Sequence, residues 1–246
     1  MSGAGVHMWL RAMLIHPGFL IAVLLSGLLS SSWYWLHQRS GSNSFQWIGE
    51  SVDRVSTRQP LVALTFDDGP RGPVSRRLLQ ELNRLNTKAT FFLVGRQIKQ
   101  HPQFTAELWR SGHQLGNHSF AHKAMDDGNL WRFWQEVRDT DRLIRQSGYQ
   151  GPIHFRAPMG KKRLALPLVL ALAQKKHVLW DVNSQDYKNI APELMIQTVL
   201  QKVRPGSIVL LHDRPNTVAA LAGMVAGLRA KGYQLVTVDQ LLAQQR

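Results

Sequence analysis

Leu61-Val62-Ala63-Leu64-Thr65-Phe66-Asp67-Asp68-Gly69-Pro70 is the stretch on which the reading of this chain turns. An alternating apolar run breaks off in two adjacent carboxylates, then a glycine and a proline. The run reads as a buried strand. The carboxylates then stand at its C-terminal lip, where α/β proteins place their chemistry. A buried carboxylate without a partner is costly, so a metal ion or a cationic side chain is expected beside them. Asp, Gly and Pro are also turn formers, and these four residues alone fit a plain turn equally well.

A second cluster, His118-Ser119-Phe120-Ala121-His122, shifts that balance. Histidines four apart are expected on one side of a helical turn, where both imidazoles reach one ion. The preceding Gly112–Asn117 stretch reads as a turn and a short strand, so this pair also starts at a strand end. Combined with the strand-end aspartates, a His₂Asp site is expected. Its mixed oxygen and nitrogen donors suit Zn²⁺, with Co²⁺, Ni²⁺ or Mn²⁺ as alternatives.

Strands are predicted over 61–66, 89–94, 113–117, 153–156, 177–182, 207–211 and 234–237. Helices are predicted within 73–85, 97–111, 129–146, 164–175, 191–203 and 217–231. This alternation argues for a parallel sheet, and every candidate residue falls at or just past a strand's C-terminal end. Some 190 residues suffice for one sizeable core. The pattern alone fits an open doubly wound sheet nearly as well as a barrel.

From Ala12 to Leu36 there is no Asp, Glu, Lys or Arg, and Trp33, Tyr34 and Trp35 mark the far end. Such a stretch can cross a bilayer with an aromatic belt at its edge. A cleaved signal peptide is the alternative; an uncleaved single-pass anchor is the favoured reading. The expected organisation is an anchor or signal segment over 1–39, a polar linker over 40–58 and a folded domain over 59–246. The chain has no cysteine, which excludes disulfides, thiolate ligands and cysteine nucleophiles. Its net charge of +14 suggests an anionic surface such as headgroups or wall polymer. The basic residues are scattered without interleaved aromatics, so nucleic acid is not an expected partner.

Five short stretches in order carry a resemblance: Thr65–Pro70, His118–His122, Arg156-Ala157-Pro158-Met159-Gly160, Trp180–Tyr187 and Leu210-Leu211-His212. Over residues 59–246 the chain resembles the polysaccharide deacetylase family, the NodB homology domain of carbohydrate esterase family 4. The resemblance implies an α/β fold, a distorted and incomplete (β/α) barrel, here preceded by an N-terminal transmembrane helix. It implies metal-dependent hydrolysis of N-acetyl groups on an N-acetylglucosamine polymer (peptidoglycan, poly-N-acetylglucosamine or a chitin-like chain), releasing acetate. An acetylated polysaccharide is then the partner, and a domain outside the cytoplasm is expected.

By the same resemblance Asp68, His118 and His122 hold the metal and Asp67 is the general base. His212 is the general acid, Asp186 orients it, and Arg156 pairs with the base. Leu210 lines the pocket for the acetyl methyl, the Met159 backbone N–H faces the oxyanion, and Tyr187 walls the groove. His212 read by itself is a strand-end histidine that Asp213 could satisfy. Three positions depart from the family pattern: Met159 replaces an aromatic, Asn183 an Asp, and Tyr187 a Trp. They put substrate preference in question more than activity. An O-acetyl polysaccharide (xylan) esterase and a silent glycan-binding protein on the same fold are the alternatives.

Overall fold

Among the described residues the apolar runs become eight strands: β1 (Ser51–Val52), β2 (Leu61–Asp67), β3 (Thr90–Leu93), β4 (Gln114–Asn117), β5 (His177–Val178), β6 (Val182–Asn183), β7 (Ile208–His212) and β8 (Gln234–Val236). The helices are α1 (Pro17–Arg39), α2 (Pro73–Arg84), α3 (Gly95–Gln100), α4 (Pro102–Arg110), α5 (Leu130–Gln146), α6 (Ala165–Leu172), α7 (Pro192–Lys202), α8 (Pro215–Ala230) and α9 (Val238–Leu242). This computed structural model describes residues 17–39 and 46–245. It divides into two units, Met1–Gly41 and Ser42–Arg246.

In the larger unit β4, β3, β2, β7 and β6 lie side by side, and β8 pairs with the start of β2. Every one of these pairings is parallel. The sheet curls toward closure. Phe155 bridges Asn117 of β4 on one side and His177 of β5 on the other. From β5 the chain runs directly into β6, which pairs with β7. The ring is therefore a distorted barrel in which one rung is a single bridging residue, and not an open sheet.

β2 is buried along its whole length. Its side chains alternate between the two faces. Val62, Leu64 and Phe66 join Leu78, Leu82 and Leu221 from the surrounding helices. Leu61 and Ala63 join Phe92, Val178 and Ile208 in a second cluster. Thr65 and Asp67 continue that second face, so it turns polar as β2 ends. Gly116 makes room there, since a Cβ on it would stand 2.5 Å from the Phe92 ring.

Several predicted elements are redrawn. The helix expected over 97–111 is two helices, because Pro102 supplies no N–H and disfavours helical backbone at His101 (φ −132°, ψ 53°). The strand expected at 153–156 shrinks to its Phe155 bridge. The strand expected at 177–182 splits, and the carbonyls of Val178 and Leu179 accept from the Arg156 guanidinium. Helix α9, with its Thr237/Gln240 capping box, was not anticipated.

The expected linker is also shorter than 40–58. Residues 40–45 lie outside the described residues, but the following stretch is part of the fold. Val52 and Val55 are buried. β1 pairs with β5, and Val55 N–H donates to Gly206 O at 3.0 Å.

In the smaller unit, the uncharged stretch before Pro17 lies outside the described residues, and α1 covers the rest. Its 23 residues extend about 35 Å at ~1.5 Å per residue, against a hydrocarbon core of roughly 30 Å. Pro17–Leu36 has a mean hydropathy of 1.6. The hydroxyls of Ser26, Ser30 and Ser31 donate to carbonyls three or four residues back, so the helix satisfies them internally. By length and composition α1 fits a membrane span or a signal sequence.

Candidate active site

Strand register gathers the site. Asp67, last in β2, pairs with His212, last in β7, and with Phe92 of β3. Asp68 then leaves the strand in a left-handed conformation (φ 74°), so the adjacent carboxylates part company.

Asp67 is buried, and its Oδ1 accepts from Arg156 Nη1 at 2.7 Å. Arg156 is wholly buried. It also donates to Thr65 Oγ1 at 2.7 Å, Val178 O at 3.0 Å and Leu179 O at 2.8 Å. Its Cζ lies 4.1 Å from the Phe92 ring centroid, a cation–π contact. Burial lowers the Arg156 pKa and the Asp67 charge opposes it.

Asp68 faces two imidazoles. Its Oδ1 lies 2.9 Å from His122 Nε2 and 3.6 Å from His118 Nε2. One donor atom from each of the three residues falls within 4.8 Å of the others. The other carboxylate oxygen, Oδ2, accepts from Arg71 at 2.9 Å. Burial raises the Asp68 pKa, but the His122 hydrogen bond and the neighbouring imidazoles outweigh it and hold the carboxyl well below the usual range. His118 is pushed down, chiefly by burial. Its Nδ1 meets Arg156 O at 2.8 Å. With Nδ1–H donating to that carbonyl, Nε2 keeps its lone pair toward Asp68.

The two histidines do not share a helical turn. Residues 118–124 form an irregular loop in which Ser119 (φ 63°) and His122 (φ 54°) are left-handed. Side chains of the motif itself shape it. Asn117 Oδ1 accepts from Ser119 N at 2.9 Å, and Ser119 Oγ accepts from His122 N at 3.0 Å. These local bonds compete successfully with helix formation. The rings nevertheless converge, with centroids 4.9 Å apart.

Across the site, His212 Nδ1 lies 2.7 Å from Asp186 Oδ1. Asp186 Oδ2 accepts from His212 N–H at 2.6 Å and Thr217 Oγ1 at 2.8 Å. Burial would lower the His212 pKa, but Asp186 and the charges of Asp67 and Asp68 raise it above the ordinary value. Burial would raise Asp186, and the bonds from His212 and Thr217 lower it. His212 is thus satisfied by Asp186. Asp213 instead accepts from Ser75 Oγ, and burial pushes its carboxyl up to about 7.

A cavity of about 340 Å³ joins these groups. Asp67, Asp68, His118, His122, Met159, Tyr187, Leu210 and His212 all line it, together with Trp180 and Asn183. Arg156 and Asp186 stand behind the lining as supports. Met159 is left-handed and exposed (φ 58°). Asn183 Oδ1 accepts from Gln185 N at 2.8 Å, so the amide keeps the acceptor on which this turn depends. Thr65, Asn117, Ser119 and Thr217 were not singled out from sequence. The first three lie within or beside the motifs that drew attention. Thr217 had no distinguishing signal.

The three-residue donor set fits one divalent ion: two imidazole nitrogens and one carboxylate oxygen, with His118 steadied by the Arg156 carbonyl and Asp68 by Arg71. A polysaccharide deacetylase family model matches residues 54–177. A peptidoglycan-N-acetylglucosamine deacetylase of Bacillus cereus is 30% identical over 194 residues, spanning 76% of this chain and 91% of that protein. A protein of the same description from Listeria monocytogenes is 34% identical over 184 residues, 73% of this chain but only 38% of that longer protein. Among solved structures, a mutant of a Bacillus anthracis CE4 family pseudoenzyme with restored activity superposes with a TM-score of 0.75 at 30% identity, covering 79% of this chain and 72% of that one.

Proposed function

The chain belongs to the polysaccharide deacetylase family, and on that premise we propose that it hydrolyses N-acetyl groups of an N-acetylglucosamine-containing polysaccharide, releasing acetate. The observation that carries this reading is the strand register that sets Asp67 and His212 side by side in one cavity with the Asp68–His118–His122 set.

Asp68, His118 and His122 would hold the metal, with Zn²⁺ the ion their chemistry favours. A divalent ion there would supply Lewis acidity, lowering the pKa of a water and polarising the acetyl carbonyl. Asp67 takes the proton of the attacking water as general base. Its pair with Arg156 holds the carboxylate in place, while its other oxygen remains on the cavity side. Hydroxide adds to the carbonyl carbon, and by the family resemblance the Met159 N–H would donate to the oxygen that becomes negative. His212, whose pKa the Asp186 hydrogen bond helps raise, gives its proton to the departing nitrogen. The C–N bond breaks, leaving a free amino sugar and acetate. Leu210 forms apolar lining for the acetyl methyl, a contact of about 0.8 kcal/mol. Trp180 and Tyr187 offer flat walls to sugar rings.

We read α1 as a membrane anchor that keeps this domain outside the cytoplasm, within reach of an envelope glycan. The test of function is acetate release from N-acetylglucosamine oligomers, peptidoglycan and acetylated xylan by the metal-loaded protein. Asp67→Asn should retain the metal and lose about 10²- to 10⁴-fold in rate. Comparable rates in wild type and variant would remove Asp67 from the mechanism, and activity confined to xylan esters would replace the reading with an esterase.

A further inference from the structure

Beyond His122 a second depression of about 340 Å³ opens. It shares Asp68 and His122 with the catalytic cavity, so the two share a wall at the proposed metal set. Their chemistry differs. The catalytic cavity offers Met159, Trp180, Tyr187 and Leu210, surfaces for sugar faces and a methyl group. The second depression offers Arg71, Arg96, Gln97 and Gln100, with Asp68 its one carboxylate.

Both arginines are held. Arg71 donates to Asp68 Oδ2 at 2.9 Å. Arg96 Nη2 donates to Ala121 O at 2.5 Å, and its backbone N–H donates to Phe120 O at 3.0 Å. Arg96 is thereby tied at two points to the loop that carries His118 and His122. A guanidinium has five N–H donors and no acceptor. These contacts therefore leave donors on both groups for a ligand. Two cations against one carboxylate give the depression a positive balance, and that carboxylate is already shared with the histidines. A neutral sugar hydroxyl both donates and accepts, whereas a carboxylate only accepts and matches the guanidinium fork.

We propose that this depression is a subsite for a carboxylate carried by the glycan on a sugar next to the one being deacetylated. The inference rests on the deacetylase reading. It makes the substrate an acidic N-acetylated polysaccharide, and the net charge of +14 would draw such a polymer toward the protein.

The experiment uses the metal-loaded full chain and three sets of N-acetylated oligosaccharides of equal length. One is neutral, one carries carboxyalkyl ethers on alternate sugars, and one alternates with uronic acids. A fourth set, bearing phosphate monoesters, separates phosphate from carboxylate recognition. Acetate release gives kcat/KM, and calorimetry in the metal-loaded Asp67→Asn background gives affinity without turnover. At least one carboxylate set should exceed the neutral set by about tenfold, the scale of one hydrogen bond to a charged group. The preference should shrink as salt rises. Arg96→Gln should reduce the ratio of acidic to neutral kcat/KM, and Arg96→Glu should invert it. Metal content and thermal unfolding of both variants identify any that misfold. Equal treatment of neutral and acidic oligomers, with ratios unmoved in both variants, would refute the subsite and leave the deacetylase reading intact. A preference for the phosphate set over both carboxylate sets would overturn the carboxylate assignment. If wild type releases acetate from none of them, the functional reading fails. The subsite then stands or falls on calorimetry: tighter binding of acidic oligomers that Arg96→Glu abolishes supports it, and equal binding refutes it.

Discussion

Replacing Asp186 by Asn probes how the proton donor is built. The carboxylate accepts three hydrogen bonds, at 2.6 and 2.8 Å on one oxygen and 2.7 Å on the other. An amide keeps one acceptor oxygen and turns an NH₂ group on the remaining partner. One buried contact becomes donor against donor, a cost of about 1–3 kcal/mol. The amide also weakens the hydrogen bond that most raises the His212 pKa and removes one of the charges that add to it. The sign follows from the role. A general acid works while protonated, so activity falls as pH rises through its pKa. Lowering that pKa moves the alkaline limb of the rate profile to lower pH. Each unit of movement corresponds to ~1.4 kcal/mol and costs tenfold in rate at a fixed pH above the limb. With the misaligned ring added, the expected loss near pH 8 is about 10²- to 10⁴-fold. The assay is acetate release from pH 5 to 10 by metal-loaded protein, paired with an NMR titration of the His212 ring. An unchanged alkaline limb with a rate within threefold of wild type would refute the reasoning. So would a His212 titration midpoint that stays put or rises.

Other perturbations separate the remaining parts. His118→Ala should weaken metal binding by more than about 100-fold, since losing a ligand exceeds the effect of losing its support; elemental analysis and competitive titration measure it, and equal metal in both proteins would sink the assignment. Arg156→Met leaves Asp67 buried without its partner, at about 3–5 kcal/mol, so thermal unfolding of this unit should fall by roughly 6–20 °C. An unchanged midpoint would show that the pair contributes little. For localisation, high salt should not release the full chain from membranes, because screening does not touch an apolar span. A soluble product lacking an N-terminal tag would instead show cleavage of α1.

The legible parts of this molecule were those written in local pattern. β2 could be read because an alternating buried strand ending in Asp-Asp-Gly-Pro is a strong signal, and the strand-end location of the other candidates followed. The geometry of the histidine loop was not legible. The spacing of His118 and His122 satisfies helical periodicity, but Asn117 and Ser119 divert the backbone through side-chain bonds that periodicity does not weigh. Thr217 was invisible for a different reason. Its value lies in reaching Asp186 from a helix 31 residues later, and sequence spacing does not reveal that meeting. Ring closure was equally hidden, since it depends on Phe155 pairing in two directions without a strand around it. Asn183 looked like a lost charge, and the structure shows the retained property to be an acceptor for Gln185 N.

The segment ahead of β2 sets where a soluble version of this protein must begin. Trp47 donates to Leu164 O at 2.9 Å, and Leu179 N–H donates to Val52 O at 2.7 Å. Gly206 lies against Val55 so closely that a Cβ would stand 1.9 Å from its carbonyl oxygen. Trimming to residue 59, where the recognisable motifs start, would strip a partner from β5 beside the weakest rung of the ring. A start within 40–45 keeps every one of these contacts and discards the apolar helix. By the same logic, a peptidase cutting there would shed a whole folded unit, while a cut a dozen residues later would leave an incomplete one.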